Sequence, residues 1–235
     1  ITKRYTESVH GKGLLKSGLT VTAMCTSCHT AHGELPASDP RSTVHKDNIP
    51  DTCAQCHHGV YEKFAQSVHG APKGAPQGAA ASGKRAVPNC NDCHTAHSVR
   101  RTDQGGFKLE VMSRCGRCHE EVAKTYFETY HGKVSQLGYA KTAKCHDCHG
   151  AHDIFPVNDP RSHLSRQNIV ETCRNCHPDA TRRFAGYLTH ATHHDPGKYH
   201  LIFWTFWGMT SLLLGTFGFF WLHTLLWLPR ALQLR

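Results

Sequence analysis

Six times in 235 residues the chain repeats Cys-x-x-Cys-His, and these six units consume all twelve of its cysteines. They are Cys25/Cys28/His29, Cys53/Cys56/His57, Cys90/Cys93/His94, Cys115/Cys118/His119, Cys145/Cys148/His149 and Cys173/Cys176/His177. No cysteine is left over for a disulfide framework. Paired CxxC knuckles also build four-cysteine zinc ribbons, but a ribbon has no use for a histidine after every second cysteine. Covalent c-type haem does: two thioethers fix the porphyrin vinyl groups, and the adjoining histidine meets the iron from one face. The expectation is six covalently attached haems, with His29, His57, His94, His119, His149 and His177 as proximal ligands.

The formal charge of +9 would ordinarily point to nucleic acid or an anionic surface. Haem alters that balance. Twelve propionates take +9 to −3 with ferrous irons, and six ferric charges return it to +3. The basic side chains therefore read as propionate partners, and nucleic acid is discounted.

The sequence repeats. "SVHG" at 8–11 returns at 67–70, as "TYHG" at 129–132 and as a degenerate "LTHA" at 188–191, with two CxxCH units between successive copies. The first unit of each pair extends to CxxCHxxH, and repeats one and three share "DPRS" where repeat two has "RRTDQGGFKLE". Three diheme modules are expected, at about 8–66, 67–128 and 129–190, in an extracytoplasmic haem domain over 1–197. The Gly/Ala/Pro-rich stretch 71–84 reads as a surface loop. Residues 118–132 read as the best helix, with acidic residues in the first turn and Gly132 as its stop, and 56–70 and 176–190 read as counterparts. The fold class expected is mostly α with much irregular coil, the stacked haems serving as the core, plus one C-terminal transmembrane helix.

Fifteen histidines lie outside the attachment units. Six irons need second ligands, and Met24, Met112 and Met209 are too few, so histidine on both faces is expected. One class, His69, His131 and His190, follows an attachment histidine by 12 or 13 residues across an expected helix. A rise of 1.5 Å per residue separates the two by about 18 Å, too far to grip one iron, so each must reach a different haem. A second class, His32, His97 and His152, follows by three and projects to the same side as its neighbour, so each caps an adjacent haem. His10 belongs to the first class without a preceding unit: either it ligates within this chain, or more haem sequence lies upstream. With His10 there are seven candidates for six irons, so one is spare or serves elsewhere. His45, His58, His146 and His163 read as propionate or surface histidines.

From Tyr199 to Pro229 there is no Lys, Arg, Asp or Glu. That run exceeds the roughly 20 residues a bilayer crossing needs, and tyrosine and tryptophan lie near its ends. A transmembrane helix over 198–230 and a cytoplasmic tail over 231–235 are expected, with the haem domain in the periplasm. Arg230 and Arg235 then lie inside. His200 and His223 are candidates for a b-type haem or membrane partner, though a b-haem would need partner helices. Gly208, Gly215 and Gly218 would allow close approach of another helix or a macrocycle.

The modules "SVHG…CxxCHxxH…DPRS…CxxCH" followed by "FWTFWGMTSLLLGTFGFFWLHTLLWLPR" resemble bacterial multihaem cytochromes c joined to an inner-membrane, quinol-oxidising cytochrome b. The resemblance implies a single-pass relay between a quinone-linked membrane partner and periplasmic electron acceptors or donors, with the cytochrome b portion supplied by another subunit or by sequence beyond Arg235. Two alternatives stand beside it. One is a multihaem reductase of nitrogen or sulfur oxyanions with one open haem; the other is a structural haem-wire subunit of a larger respiratory complex. No catalytic residue is assigned: enough histidines exist to close all six irons, and no variant motif such as CxxCK marks one haem as special.

Overall fold

A chain with this little aliphatic patterning has to build its helices from caps and local hydrogen bonds. The computed structural model describes residues 1–70, 87–187 and 189–233; the stretch 71–84, read as a surface loop, lies outside them. Among the described residues every regular element is helical, and there is no strand. Two units are resolved, Ile1–Tyr187 and Leu188–Arg235.

Among its described residues the first unit carries eleven α-helices: α1 (Thr2–Glu7), α2 (Val9–Ser17), α3 (Cys25–His29), α4 (Ile49–Ala54), α5 (His58–Gln66), α6 (Cys90–His94), α7 (Gly105–Cys118), α8 (Glu120–Glu128), α9 (Tyr130–Gln136), α10 (Cys145–His149) and α11 (Ile169–Arg174). The sequence repeat is also a repeat of hydrogen bonds. In the loop before α4, Asn48 donates to the carbonyls of Pro40 and Ser42, both at 2.8 Å, and Thr52 donates to Thr43 at 2.7 Å. Before α11, Asn168 donates to Pro160 and Ser162, both at 2.9 Å, and Thr172 to His163 at 2.7 Å. Repeat two replaces this loop with α7, which buries Phe107 and Met112.

The helix expected over 118–132 is two helices. α8 begins with Glu120 and Glu121, the favourable sign for a helix N-terminus. It ends at Glu128, and Thr129 reverses the chain. The Thr129 hydroxyl donates to the Tyr126 carbonyl at 2.7 Å and accepts from the Gly132 N–H at 3.2 Å, closing one helix and capping the next. Ser8 does the same between α1 and α2, donating to Tyr5 at 2.6 Å and accepting from Gly11 at 3.0 Å. Ser67 donates to Phe64 at 2.8 Å and accepts from the His69 N–H at 3.1 Å.

Gly132 therefore sits inside α9 and is not a stop. A Cβ there would meet the Tyr126 carbonyl oxygen at 2.1 Å; at Gly11 and Gly70 it would meet the Tyr5 and Phe64 oxygens at 2.0 and 2.3 Å. At Gly11 and Gly132 the absent side chain is what lets the second helix fold back onto the end of the first, and Gly70 makes the same close approach to the end of α5.

The third expected helix, 176–190, is also absent; its described part holds only a 3-10 turn, Phe184–Gly186. Pro178 follows the attachment histidine directly, and the chain turns at once, with Ala180 N–H donating to the His177 carbonyl at 2.8 Å. Ala180 is buried, and its carbonyl is engaged by Arg174 Nε at 3.2 Å, so it is lost to a helical ladder.

The second unit is dominated by α12 (His200–Gln233), 34 residues and long and apolar enough to cross a membrane. The Thr216 and Thr224 hydroxyls donate to the carbonyls of Leu212 and Phe220 at 2.8 and 2.7 Å. Bonding to the preceding turn satisfies a hydroxyl where no water is at hand.

Candidate haem-binding sites

Each module presents its first attachment unit on a one-turn helix with a shared device. The third residue of α3, α6 and α10 reaches back to the backbone N–H before the helix: Ser27 to Met24 at 3.1 Å, Asp92 to Asn89 at 2.7 Å, Asp147 to Lys144 at 2.9 Å. This is the returning half of a capping box, and it sets both cysteines and the histidine on one turn. The second units lie at the ends of α4, α7 and α11, where Cys53, Cys115 and Cys173 accept from the N–H of His57, His119 and His177, each at 2.9 Å.

The motif reads all twelve cysteines alike, and the structure does not. Cys56 and Cys176 differ from the cysteines of the first units in lying outside any helix, on the turns just past α4 and α11. Both start the expected helices 56–70 and 176–190, neither of which begins there. The reason is local: the Cys56 and Cys176 N–H groups donate to the carbonyls of Cys53 and Cys173 at 3.2 Å, three residues back, which tightens the helix end into a turn. Cys56 and Cys176 are exposed, as are Cys25 and Cys118, whereas Cys28, Cys53, Cys90, Cys93, Cys115, Cys145, Cys148 and Cys173 are half-buried. An exposed sulfur suits thioether attachment, since the macrocycle it carries would itself cover it.

The attachment histidines do not stand alone. His10 faces His57 with ring centres 6.3 Å apart, His69 faces His119 at 6.1 Å, and His131 faces His177 at 6.2 Å. His97 faces His29 at 6.0 Å, and His152 faces His94 at 5.9 Å. A metal–imidazole bond of ~2.0 Å plus ~1.1 Å from nitrogen to ring centre, taken on both sides, separates two imidazoles gripping one ion by ~6.2 Å. The five pairs fall within 0.3 Å of that spacing. The residues present thus fit a six-coordinate haem iron.

The interior fits as well. Among the described residues only Phe107, Met112, Tyr126 and Ala180 are buried apolar side chains. That is far too small a core for a domain of this length, and the volume around the cysteines is where haem would supply the rest.

Of the first class, His10, His69 and His131 lie within the S/T-x-H-G segment and face the second attachment histidine of their own module. His97 and His152 reach instead to the first unit of the preceding module. They hang from a loop in which Thr95 has φ 64 and ψ 168, and Gly150 φ 84 and ψ 166. That region belongs almost wholly to glycine. Thr30, before His32, adopts φ 67 and ψ 163.

Burial, and after it the facing imidazole, holds His10, His69, His94, His97 and His131 below the ordinary histidine range. Burial also lowers His152. Neutral imidazole is the form that binds a metal.

The sulfurs of successive units are neighbours too. The Cys53 thiol hydrogen bonds to Cys90, and that of Cys115 to Cys145, which raises Cys53 and Cys115. Burial and nearby charges push Cys148 up to about 11. The second unit of each module therefore adjoins the first unit of the next.

The histidines read as peripheral each have a carboxylate beside them: His45 with Asp47 at 3.7 Å, His58 with Glu62 at 3.6 Å, His146 with Asp147 at 3.6 Å and His163 with Asp153 at 3.0 Å. His149 ends α10. His190 falls in the second unit, as do His200, the first residue of α12, and His223, whose ring stacks on Phe219 at 6.4 Å. His32 is exposed and faces no ring among the described residues.

Two features escaped the sequence. The strained residue after the first unit of modules one and two, Thr30 and Thr95, carries no signal, because threonine is not a turn residue. Lys144 is 1 % exposed, its amine donating to the carbonyls of Ala140 and Thr142, and burial holds it below the ordinary lysine range.

Residues 19–60, which hold the first two attachment units, match the family model described as the doubled CXXCH motif. No curated protein and no solved structure matches the chain. Paired CXXCH units on capped turns mark a multihaem c-type cytochrome, and electron transfer is the activity that such paired haems imply.

Proposed function

We propose that this chain is a membrane-anchored hexahaem cytochrome c that relays electrons between a quinone-linked membrane partner, a cytochrome b by the resemblance, and periplasmic redox partners. Bound haem supplies reversible one-electron chemistry at iron. The protein's part is to hold each macrocycle by two thioethers and an imidazole, close the opposite face with a second imidazole, and keep successive units side by side. The observation that carries this reading is the set of five opposed histidine pairs at 5.9–6.3 Å. A reductase needs an iron open to substrate, and a filled second position argues for conduction over catalysis. The run of α12 without acidic or basic residues, with Lys198 before it and Arg230 near its end, supports a single span with its C-terminus inside. His200 and His223 remain candidates toward membrane partner helices.

The test is pyridine haemochrome quantitation with low-temperature EPR of the oxidised protein. Six c-type haems, all low-spin, are expected. A stoichiometric high-spin signal would move the assignment to a reductase, and fewer than six haems would overturn the reading of the motifs.

A further inference from the structure

The capping device of the three first attachment units is the same, but the charge it carries is not. Ser27 reaches back to the Met24 N–H in module one, Asp92 to Asn89 in module two and Asp147 to Lys144 in module three. Met24 and Lys144 are equivalent in structure as well as in sequence: the Tyr5 hydroxyl donates to the Ala23 carbonyl at 2.9 Å, and the Tyr126 hydroxyl to the Ala143 carbonyl at 2.6 Å. Yet Met24 is 43 % exposed and Lys144 1 %. Of the three modules, only the third buries a cation at the residue joined directly to its first attachment cysteine, Cys145.

A buried charge is costly unless it is paired. The Lys144 amine donates to the carbonyls of Ala140, at 2.6 Å, and Thr142. Both acceptors are neutral, and an ammonium has three hydrogens to give. Among the described residues no carboxylate forms an ion pair with this amine. Asp147 takes the backbone N–H of Lys144 with Oδ2 at 2.9 Å, and its Oδ1 lies 3.6 Å from His146 Nε2. Burial opposes the charge most; Asp147 favours it, Lys108 opposes it and Cys176 favours it. The influence of Cys176 sets the amine near the second attachment unit of the module as well as beside the first.

We propose that Lys144 is the buried counter-ion of a haem propionate in module three and raises the reduction potential of that module's haems, so that the three modules are unequal as resting places for an electron. This rests on the reading that the CxxCH units hold haem. A propionate is the anion that reading supplies, on a macrocycle bound at the very next residue, and it can accept the amine's third hydrogen. Reduction adds one electron to a ferric iron and removes one unit of positive charge; no bond changes. A cation that neutralises a propionate therefore favours the ferrous form, and in a protein interior a unit charge acts well beyond contact. Modules one and two, with Met24 and Asn89 at this position, have no such cation there.

The experiment is a spectroelectrochemical titration of the full haem-loaded chain in detergent, after haem count and EPR of each protein. Lys144→Met keeps the apolar stem, Lys144→Gln keeps a donor for the two carbonyls, and Lys144→Arg keeps the charge. Lys141→Met removes the same charge from an exposed position nearby. Expected are six low-spin haems in every protein and, in the two neutral variants at 144, one or two midpoints lower by about 59 mV, a tenfold fall in the ferrous-to-ferric ratio. Lys144→Arg and Lys141→Met should titrate as the wild type does. Unchanged midpoints in both neutral variants would overturn the inference while leaving the electron-relay reading intact. An equal fall in Lys144→Arg would overturn it by assigning the effect to packing, and an equal fall in Lys141→Met by assigning it to net charge. Loss of haem from both neutral variants would overturn it too, by making the lysine a requirement for attachment and not for potential. A haem deficit in the wild type would instead count against the haem reading itself.

Discussion

The two kinds of histidine that face an attachment histidine sit differently in the fold. His10, His69 and His131 lie on a segment that folds back through a hydroxyl cap and a glycine, and each closes a site within its own module. His97 and His152 hang from a strained turn and close a site in the module before. One class completes modules; the other joins them. Under the proposed haem ligation these contacts would join module one to two and module two to three, as a continuous apolar core does elsewhere.

The sharpest way to break that distinction is to delete one histidine of each class. His131→Ala and His152→Ala should each turn one haem high-spin, read by EPR. Only His152→Ala should also raise the rate of proteolytic cutting between modules two and three. Equal protease sensitivity in the two variants would erase the difference between the classes.

Next in size is the reversal itself. Gly132→Ala places a Cβ 2.1 Å from the Tyr126 oxygen. The outcome expected is a loss of about 3 kcal/mol in denaturant unfolding, since overpacking against backbone cannot relax. Removing the cap with Thr129→Ala should cost less, about 1 kcal/mol. If the alanine at 132 proves harmless, the helices do not approach as described.

The smallest effect belongs to the joining loop. Thr95→Gly relieves a positive φ and removes a buried hydroxyl oxygen that has no hydrogen-bond partner. Strain of this kind costs about 1–3 kcal/mol, and glycine's extra backbone entropy offsets part of the gain, so a stabilisation of about 1 kcal/mol is expected in thermal unfolding. A destabilised Thr95→Gly would mean that the threonine side chain itself holds the turn.

How much of this was legible in the sequence follows from which signals are local. The attachment units are covalent motifs, and residue identity suffices to find them. The repeat and the apolar run of α12 are equally plain, because both are patterns within one stretch. Exposure is not part of the motif, so nothing in the spacing separates Cys56 and Cys176, on open turns, from their half-buried partners Cys53 and Cys173. The reversal was not legible either: a hydroxyl and a glycine three residues apart read as the end of one helix, and only the closeness of Gly132 to the Tyr126 carbonyl reveals the start of another. The missing third helix turns on Pro178 and on Arg174 taking the Ala180 carbonyl, a tertiary contact. The pairing of histidines is tertiary as well. His69 reaches forward to His119 while His97 reaches back to His29, and nothing in the spacing gives the direction.

The most direct measurement is a high-resolution structure of the haem-loaded protein with irons located by anomalous scattering. Irons are expected between His10 and His57, His69 and His119, His131 and His177, His29 and His97, and His94 and His152. An iron held by His57 and His69, or a water opposite any of those five attachment histidines, would contradict that pairing.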